Sequence, residues 1–156
     1  MDYKFKYLSK LVYDHKRYNF NSILFKAVKD NNSGIIDLNG KTIIPFVYDS
    51  SQFPDFSRVF KGDYYFKAKK NNRLGIIDLN NNIIIPFIYD IITVKQRDNI
   101  FVQKNNKWGC IDVDNNEVIP IIYDNFQYGK SNDTHYYVEL NGLKYFININ
   151  GLEYKE

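Results

Sequence analysis

Cysteine is almost missing from this chain, with one residue in 156. A single thiol excludes an intrachain disulfide and any zinc site built on cysteines. Two histidines leave little for a histidine-rich metal site. No apolar run approaches the ~20 residues that a membrane helix needs. An excess of one charge is lacking too: Lys+Arg 21 against Asp+Glu 18 leaves +3, too even a balance to favour nucleic acid or an anionic membrane. Neither Gly-X-Gly-X-X-Gly nor Gly-X-X-X-X-Gly-Lys-Ser/Thr occurs, so no phosphate-cradling loop is indicated. No 3.6-residue apolar period marks a long helix. The residues Met1–Lys10 carry positive charge without an apolar stretch of signal length, which reads as a cytoplasmic protein.

What is abundant is aromatic: 14 Tyr and 12 Phe, within a hydrophobic fraction of 44%. That is enough apolar material for the core of one domain. Most of it recurs. GIIDLNGKTIIPFVYD (Gly34–Asp49), GIIDLNNNIIIPFIYD (Gly75–Asp90) and GCIDVDNNEVIPIIYD (Gly109–Asp124) align without gaps. Upstream, Phe25–Asp30 aligns with Phe66–Asn71 and Ile100–Asn105. A worn copy follows, with Tyr145 in the glycine place and Asn148 in the aspartate place, and Leu8–Asp14 matches the end of a unit. The chain therefore reads as a single repeat domain over 1–156. It comprises a half unit at 1–14, units at about 22–49, 64–90 and 99–124, and a half unit at 135–156.

Each unit reads as three strands joined by two turns. The intervening runs are β-branched and aromatic. The first turns are Asp30-Asn31, Asn71-Asn72, Asn105-Asn106 and Asn141-Gly142, and the second are Asn39-Gly40, Asn80-Asn81, Asp114-Asn115 and Asn150-Gly151. All tolerate the positive φ that type I′ turns require at both central positions. In the middle strand Ile36 and Leu38 share one face, with Asp37 on the other. Pro45, Pro86 and Pro120 cannot donate a ladder bond, so they belong at an edge or a bulge. The least strand-like stretches, Asp14–Ser22 and Ser50–Gly62, have room for a short helical turn. One unit buries too little apolar surface to offset the entropy of ordering it, so neighbouring units must shelter one another. The terminal half units either pair and close the array, cap its ends, or are covered by a partner chain.

Lys107, Trp108, Gly109, Ile111 and Asp112, followed by Val118-Ile119-Pro120 and Tyr123-Asp124, resemble the bacterial WG-containing repeat family. The resemblance runs from about Tyr13 to Gly151. Only the third full unit has the literal Trp-Gly pair; the others carry Ser33-Gly34, Leu74-Gly75 and Lys144-Tyr145. It implies an all-β scaffold of tandem three-stranded meanders, solenoid-like or closed. It implies no common enzymatic activity, and members of the family are read as interaction modules.

Residues present in every copy read as framework: Gly34, Gly75 and Gly109; Asp37, Asp78 and Asp112; Pro45, Pro86 and Pro120; Tyr48, Tyr89 and Tyr123; Asp49, Asp90 and Asp124. An Asp at a strand end accepts backbone N–H bonds and locks a turn, and a repeated Tyr packs between units with its hydroxyl on a polar partner. Trp108 stands where Ser33, Leu74 and Lys144 stand elsewhere, so the place is expected to be half-exposed. Cys110 aligns with Ile35 and Ile76 and reads as a buried, inert thiol. His15 and His135 fall outside the repeats, and no nucleophile-histidine order involves them. Lys67, Lys69, Lys70 and Arg73 read as a solvated face rather than a nucleic-acid surface.

What fails to repeat is the extra length of the second unit near Ser50–Asp63. Insertions in repeat arrays map to surface loops, often on the binding face. Phe53, Phe56, Arg58 and Phe60 are hot-spot residue types there, and Trp108 joins them as a candidate anchor. The reading is a non-enzymatic scaffold that binds a protein partner, an inhibitor or immunity-type protein being one concrete form. No cofactor, metal, nucleic acid or membrane is implied. The alternative is a carbohydrate- or cell-wall-binding module, whose aromatic surface would stack on sugars.

Overall fold

The computed structural model describes residues 7–11, 24–49, 55–60, 63–94, 99–128, 135–148 and 153–154. Of these, 7–11, 55–60, 63–64, 128 and 153–154 are described by backbone alone. All regular structure among the described residues is strand. In chain order the strands are β1 (Tyr7–Leu11), β2 (Leu24–Lys29), β3 (Asn32–Asp37), β4 (Thr42–Asp49), β5 (Asp55–Phe60), β6 (Asp63–Lys70), β7 (Arg73–Asp78), β8 (Ile83–Tyr89), β9 (Ile91–Val94), β10 (Ile100–Lys104), β11 (Lys107–Ile111), β12 (Glu117–Tyr123), β13 (Asn125–Tyr128), β14 (His135–Leu140), β15 (Leu143–Asn148) and β16 (Glu153–Tyr154). They form four-stranded sheets in the orders β1-β2-β3-β4, β5-β6-β7-β8, β9-β10-β11-β12 and β13-β14-β15-β16. The chain divides into two compact units, Met1–Ile83 and Ile84–Glu156.

The three-stranded meander of each copy is present, and each sheet carries a fourth strand. In the later sheets that strand is the segment after the Tyr-Asp pair: β5, β9 and β13. In the first sheet it is β1, which pairs with β2 through Leu8 opposite Ala27. The N-terminal segment is thereby taken up by the first sheet, while the last sheet completes its own meander with β16.

The insertion departs from the sequence reading. Most of the expected loop Phe53–Phe60 is the strand β5, paired antiparallel with β6 through Phe56 opposite Phe66. Ser50–Gly62 therefore holds no helical turn over Asp55–Phe60. Phe56, Val59 and Phe60 are strand-favouring residue types, and β6 offers backbone groups to pair with, the register slipping between Ser57 and Phe60. Phe53 and Asp14–Ser22 lie outside the described residues.

The turns differ in kind. The first turn of each copy has positive φ at both central residues: Asp30 49° and Asn31 62°, Asn71 51° and Asn72 62°, Asn105 52° and Asn106 62°. That is the type I′ pattern. In the second turn only one residue is left-handed: Gly40 at 78°, Asn81 at 65° or Asn115 at 64°. The expected two-residue turn is replaced by a longer one built around the recurrent aspartate. Asp37 Oδ1 accepts from the N–H groups of Asn39 at 2.8 Å and Lys41 at 2.9 Å. Asp78 does the same for Asn80 and Asn82, and Asp112 for Asp114 and Asn116. With the carboxylate organising the loop, a single left-handed residue suffices. Leu38 then falls in the turn and is exposed, so it shares no strand face with Ile36.

Opposite the glycine the third strand bulges. Between Ser33 and Ile35 on β3, β4 runs from Tyr48 to Ile44. Pro45, Phe46 and Val47 therefore face Gly34. The same shift sets Pro120, Ile121 and Ile122 of β12 against Gly109. The bulge brings backbone onto the glycine. A Cβ at Gly34 would lie 2.6 Å from the Ile44 carbonyl oxygen, and one at Gly109 would lie 2.7 Å from that of Ile119. The place needs glycine for lack of space, and proline fits where no ladder N–H is required.

Both faces of the middle strand are buried, with Ile35 and Ile36, Ile76 and Ile77, and Cys110 and Ile111 all in the core. In the unit Ile84–Glu156 the reason is visible. Phe101, Cys110 and Ile119 of one sheet pack against Phe126, Val138 and Ile147 of the next in a single buried cluster. The rings of Phe101 and Phe126 are 5.1 Å apart, and those of Phe101 and Tyr136 are 5.2 Å apart.

Candidate functional site

The recurrent Tyr-Asp pair links one copy to the next. Tyr48 is buried at the end of β4, and its hydroxyl donates to Asn81 Oδ1 at 2.6 Å. Tyr89 at the end of β8 donates to Asn115 Oδ1 at 2.9 Å. Asn81 and Asn115 are the left-handed residues of the second turn of the following copy. Burial pushes both phenols above the ordinary tyrosine range, with the Glu117 carboxylate adding to the effect at Tyr89. A neutral hydroxyl that donates one bond is the form such a site favours.

The adjoining aspartate reaches the other turn. Asp90 Oδ2 accepts from the N–H of Asn105 at 2.7 Å, and the Asp90 N–H donates to the Gln103 carbonyl at 2.8 Å. Asp124 repeats the pattern with Asn141 at 2.9 Å and Glu139 at 2.7 Å. Tyr89 and Asp90 together therefore grip both turns of the next copy. Asp124 also pairs with Lys107. The Lys107 ammonium, then the Asn141 N–H, hold its carboxyl below the usual carboxylate range. Asp49 ends β4 opposite Asn32.

The recurrent carboxylates are held in the turns of the repeat. Asp78 and Asp112 each engage two backbone N–H groups and the side-chain amide of Asn82 or Asn116. The Cys110 thiol is fully buried, and burial pushes it up to about 12, far from a reactive thiolate. Among the described residues no three His, Cys, Asp or Glu side chains gather as metal ligands would.

The candidate binding residues lie in different sheets. Phe56, Arg58 and Phe60 lie on β5. Trp108 lies on β11, where its half-buried side chain packs against the cluster of Phe101 and Phe126. Its expected half-exposure does not extend to Ser33 and Leu74, which are buried, while Lys144 at the same place is exposed. The Ser33 hydroxyl is sealed in without a hydrogen-bond partner. Pro86 lies in β8, and Gly75 is buried in β7.

Sequence reasoning missed the asparagines that receive the tyrosines. A signal was available: the left-handed place of the second turn holds Gly40 in one copy and Asn81 or Asn115 in others, and only Asn offers an acceptor. It also missed an exposed aliphatic that recurs from copy to copy. Val47, Ile88 and Ile122 precede the recurrent tyrosine on β4, β8 and β12, each the last strand of its sheet. They are 43%, 38% and 44% exposed.

The family model described as "WG containing repeat" matches residues 34–73, 75–108 and 108–143. No curated protein matches the chain.

Proposed function

We propose that this chain, which belongs to the WG containing repeat family, is a non-enzymatic scaffold that binds a protein partner. The observation that carries the reading is the recurrence of an exposed branched aliphatic at Val47, Ile88 and Ile122. Asp37, Asp78 and Asp112 are engaged in turns, and Tyr48, Tyr89, Asp90 and Asp124 between copies. The three aliphatic side chains are not part of the core, yet the place is a branched aliphatic in all three full copies. Apolar groups repeated at one exposed place suit a partner's apolar surface, with charged residues around them as the rim. A partner strand added at such an outer strand is the simplest way to meet them. The lone buried thiol and the organised carboxylates support the non-enzymatic half of the proposal. Inhibition of an enzyme or toxin is the narrower form of the same idea, and the bacterial cytoplasm is its expected setting.

The test is affinity capture from the native host with the wild-type chain and with a Val47→Lys/Ile88→Lys/Ile122→Lys variant of unchanged circular dichroism and Tm. Partners held by the wild type and lost from the variant support the proposal. Equal capture by both, or specific retention of glycans in place of protein, overturns it.

A further inference from the structure

Two Asn-Gly pairs lie among the described residues, Asn39-Gly40 and Asn141-Gly142, and both are exposed. A glycine has no Cβ to shield its backbone nitrogen, so in such a pair that nitrogen can close on the asparagine side chain. Nothing lies within 4 Å of a Cβ built at either glycine. The pairs differ in what holds them. Gly40 sits in a second turn, where its N–H donates to the Asp37 carbonyl oxygen at 3.1 Å. Asn141 and Gly142 are the central residues of a first turn, at φ 52° and 77°, between the paired Leu140 and Leu143. Among the described residues the Gly142 N–H has no acceptor. The equivalent turns of the second and third copies hold Asn71-Asn72 and Asn105-Asn106 with positive φ at both places, so the turn itself does not require glycine.

We propose that Asn141 is a self-modification site, at which the backbone nitrogen of Gly142 converts the asparagine to isoaspartate and aspartate. The Gly142 nitrogen gives up its proton and bonds to Asn141 Cγ. The Cγ–Nδ2 bond breaks, and Nδ2 leaves as ammonia with that proton. The cyclic imide then adds one water. Opening at Cγ yields aspartate, and opening at the backbone carbonyl yields isoaspartate, which puts an extra methylene into the main chain. Water is the only co-reactant. Asn141, Gly142 and Leu143 are all exposed at the hairpin tip, where the chain opens without unfolding the sheet. Asn39 is held back because the Asp37 carbonyl retains the Gly40 proton. The product falls on a link between copies, since the Asn141 N–H donates to Asp124 Oδ2 at 2.9 Å. Either product adds a carboxylate to the residue that Asp124 grips, and isoaspartate lengthens a turn whose ends are fixed by Leu140 opposite Leu143. Modification therefore loosens the hold of the third copy on the fourth. The site is independent of the partner-binding reading.

Peptide mapping by mass spectrometry, with enzymatic methylation to count isoaspartate, tests it on the full chain held for weeks at mildly alkaline pH. In the native chain Asn141 should be modified several-fold faster than Asn39, and in urea the two rates should converge. Gly142→Asn restores the pair found in the other copies, so it should keep the circular dichroism and slow the reaction several-fold. Asn106→Gly should create a second reactive place at Asn105. The modified chain should melt at a lower temperature than the fresh one, while Gly142→Asn holds its Tm over the same weeks. An Asn141 that stays unmodified in the native chain overturns the proposal, whatever happens in urea. A native Asn39 that reacts as fast as Asn141 also overturns it, because the hydrogen bond of Gly40 would then protect nothing. Modification of Gly142→Asn at the wild-type rate does the same, since the reaction would not depend on the glycine.

Discussion

The phenol of Tyr48 reaches across 33 residues to donate a 2.6 Å hydrogen bond to the side chain of Asn81. Its acceptor is also the residue whose backbone turns left-handed to close the hairpin. One asparagine thus performs two tasks, and Asn115 repeats both for Tyr89. The link ties the register of one copy to the turn geometry of the next.

Separating the two tasks gives the first expected outcome. Tyr48→Phe should destabilise the chain by about 1 kcal/mol, the net worth of one part-buried hydrogen bond. Asn81→Gly should cost about the same, since glycine accepts a φ of 65°. Asn81→Ala should cost roughly 1–2 kcal/mol more, because its Cβ opposes the left-handed backbone. Denaturant unfolding of the three variants checks the order. A cost for Asn81→Ala no greater than for Asn81→Gly would contradict the double role.

The second concerns space. Gly34→Ala and Gly109→Ala place a Cβ against a backbone carbonyl that has no rotamer to move into. Each should lower stability by roughly 1–3 kcal/mol, as overpacking does. Gly40→Asn should be nearly neutral, since nothing lies within 4 Å of that position and Asn tolerates its backbone. Thermal melts of the three variants suffice. A tolerated Gly109→Ala would mean that the bulge opens more easily than its geometry indicates.

The third is a pH dependence. Asp124 has its folded pKa depressed by Lys107 and the Asn141 N–H. Its contribution to stability is whole above the unfolded value near ~3.9 and is lost as pH falls through the folded value. Below about pH 4 the wild type should therefore lose stability more steeply than Asp124→Asn. Parallel acid limbs in urea titrations would remove the carboxylate from the account.

The internal alignment alone exposed the architecture, because strand runs, turn dipeptides and the Gly-to-Tyr-Asp spacing recur in register. The WG family assignment followed from the same residues. Less was legible where a residue acts through a distant one. Nothing in the order of residues says that Tyr48 meets Asn81, since the contact forms only when two copies stack. The second turn was misread for a related reason. Asn-Gly is a type I′ signal in isolation, but the carboxylate of Asp37 captures the loop first. Ser50–Asp63 looked like an inserted loop because it has no counterpart in the other copies. The strand character of Asp55–Phe60 depends on pairing with β6.

Local chemistry, then, determined the elements of this protein: β-branched runs become strands, Asn and Gly pairs turn them, and a glycine marks where a side chain has no room. Tertiary structure alone decided which faces are hidden. Cys110 and Phe146 occupy the same place in the repeat, yet one is buried and the other partly exposed. Among the described residues a further sheet covers Cys110 and none covers Phe146, and burial by a neighbour is a property of the stack that no single copy encodes.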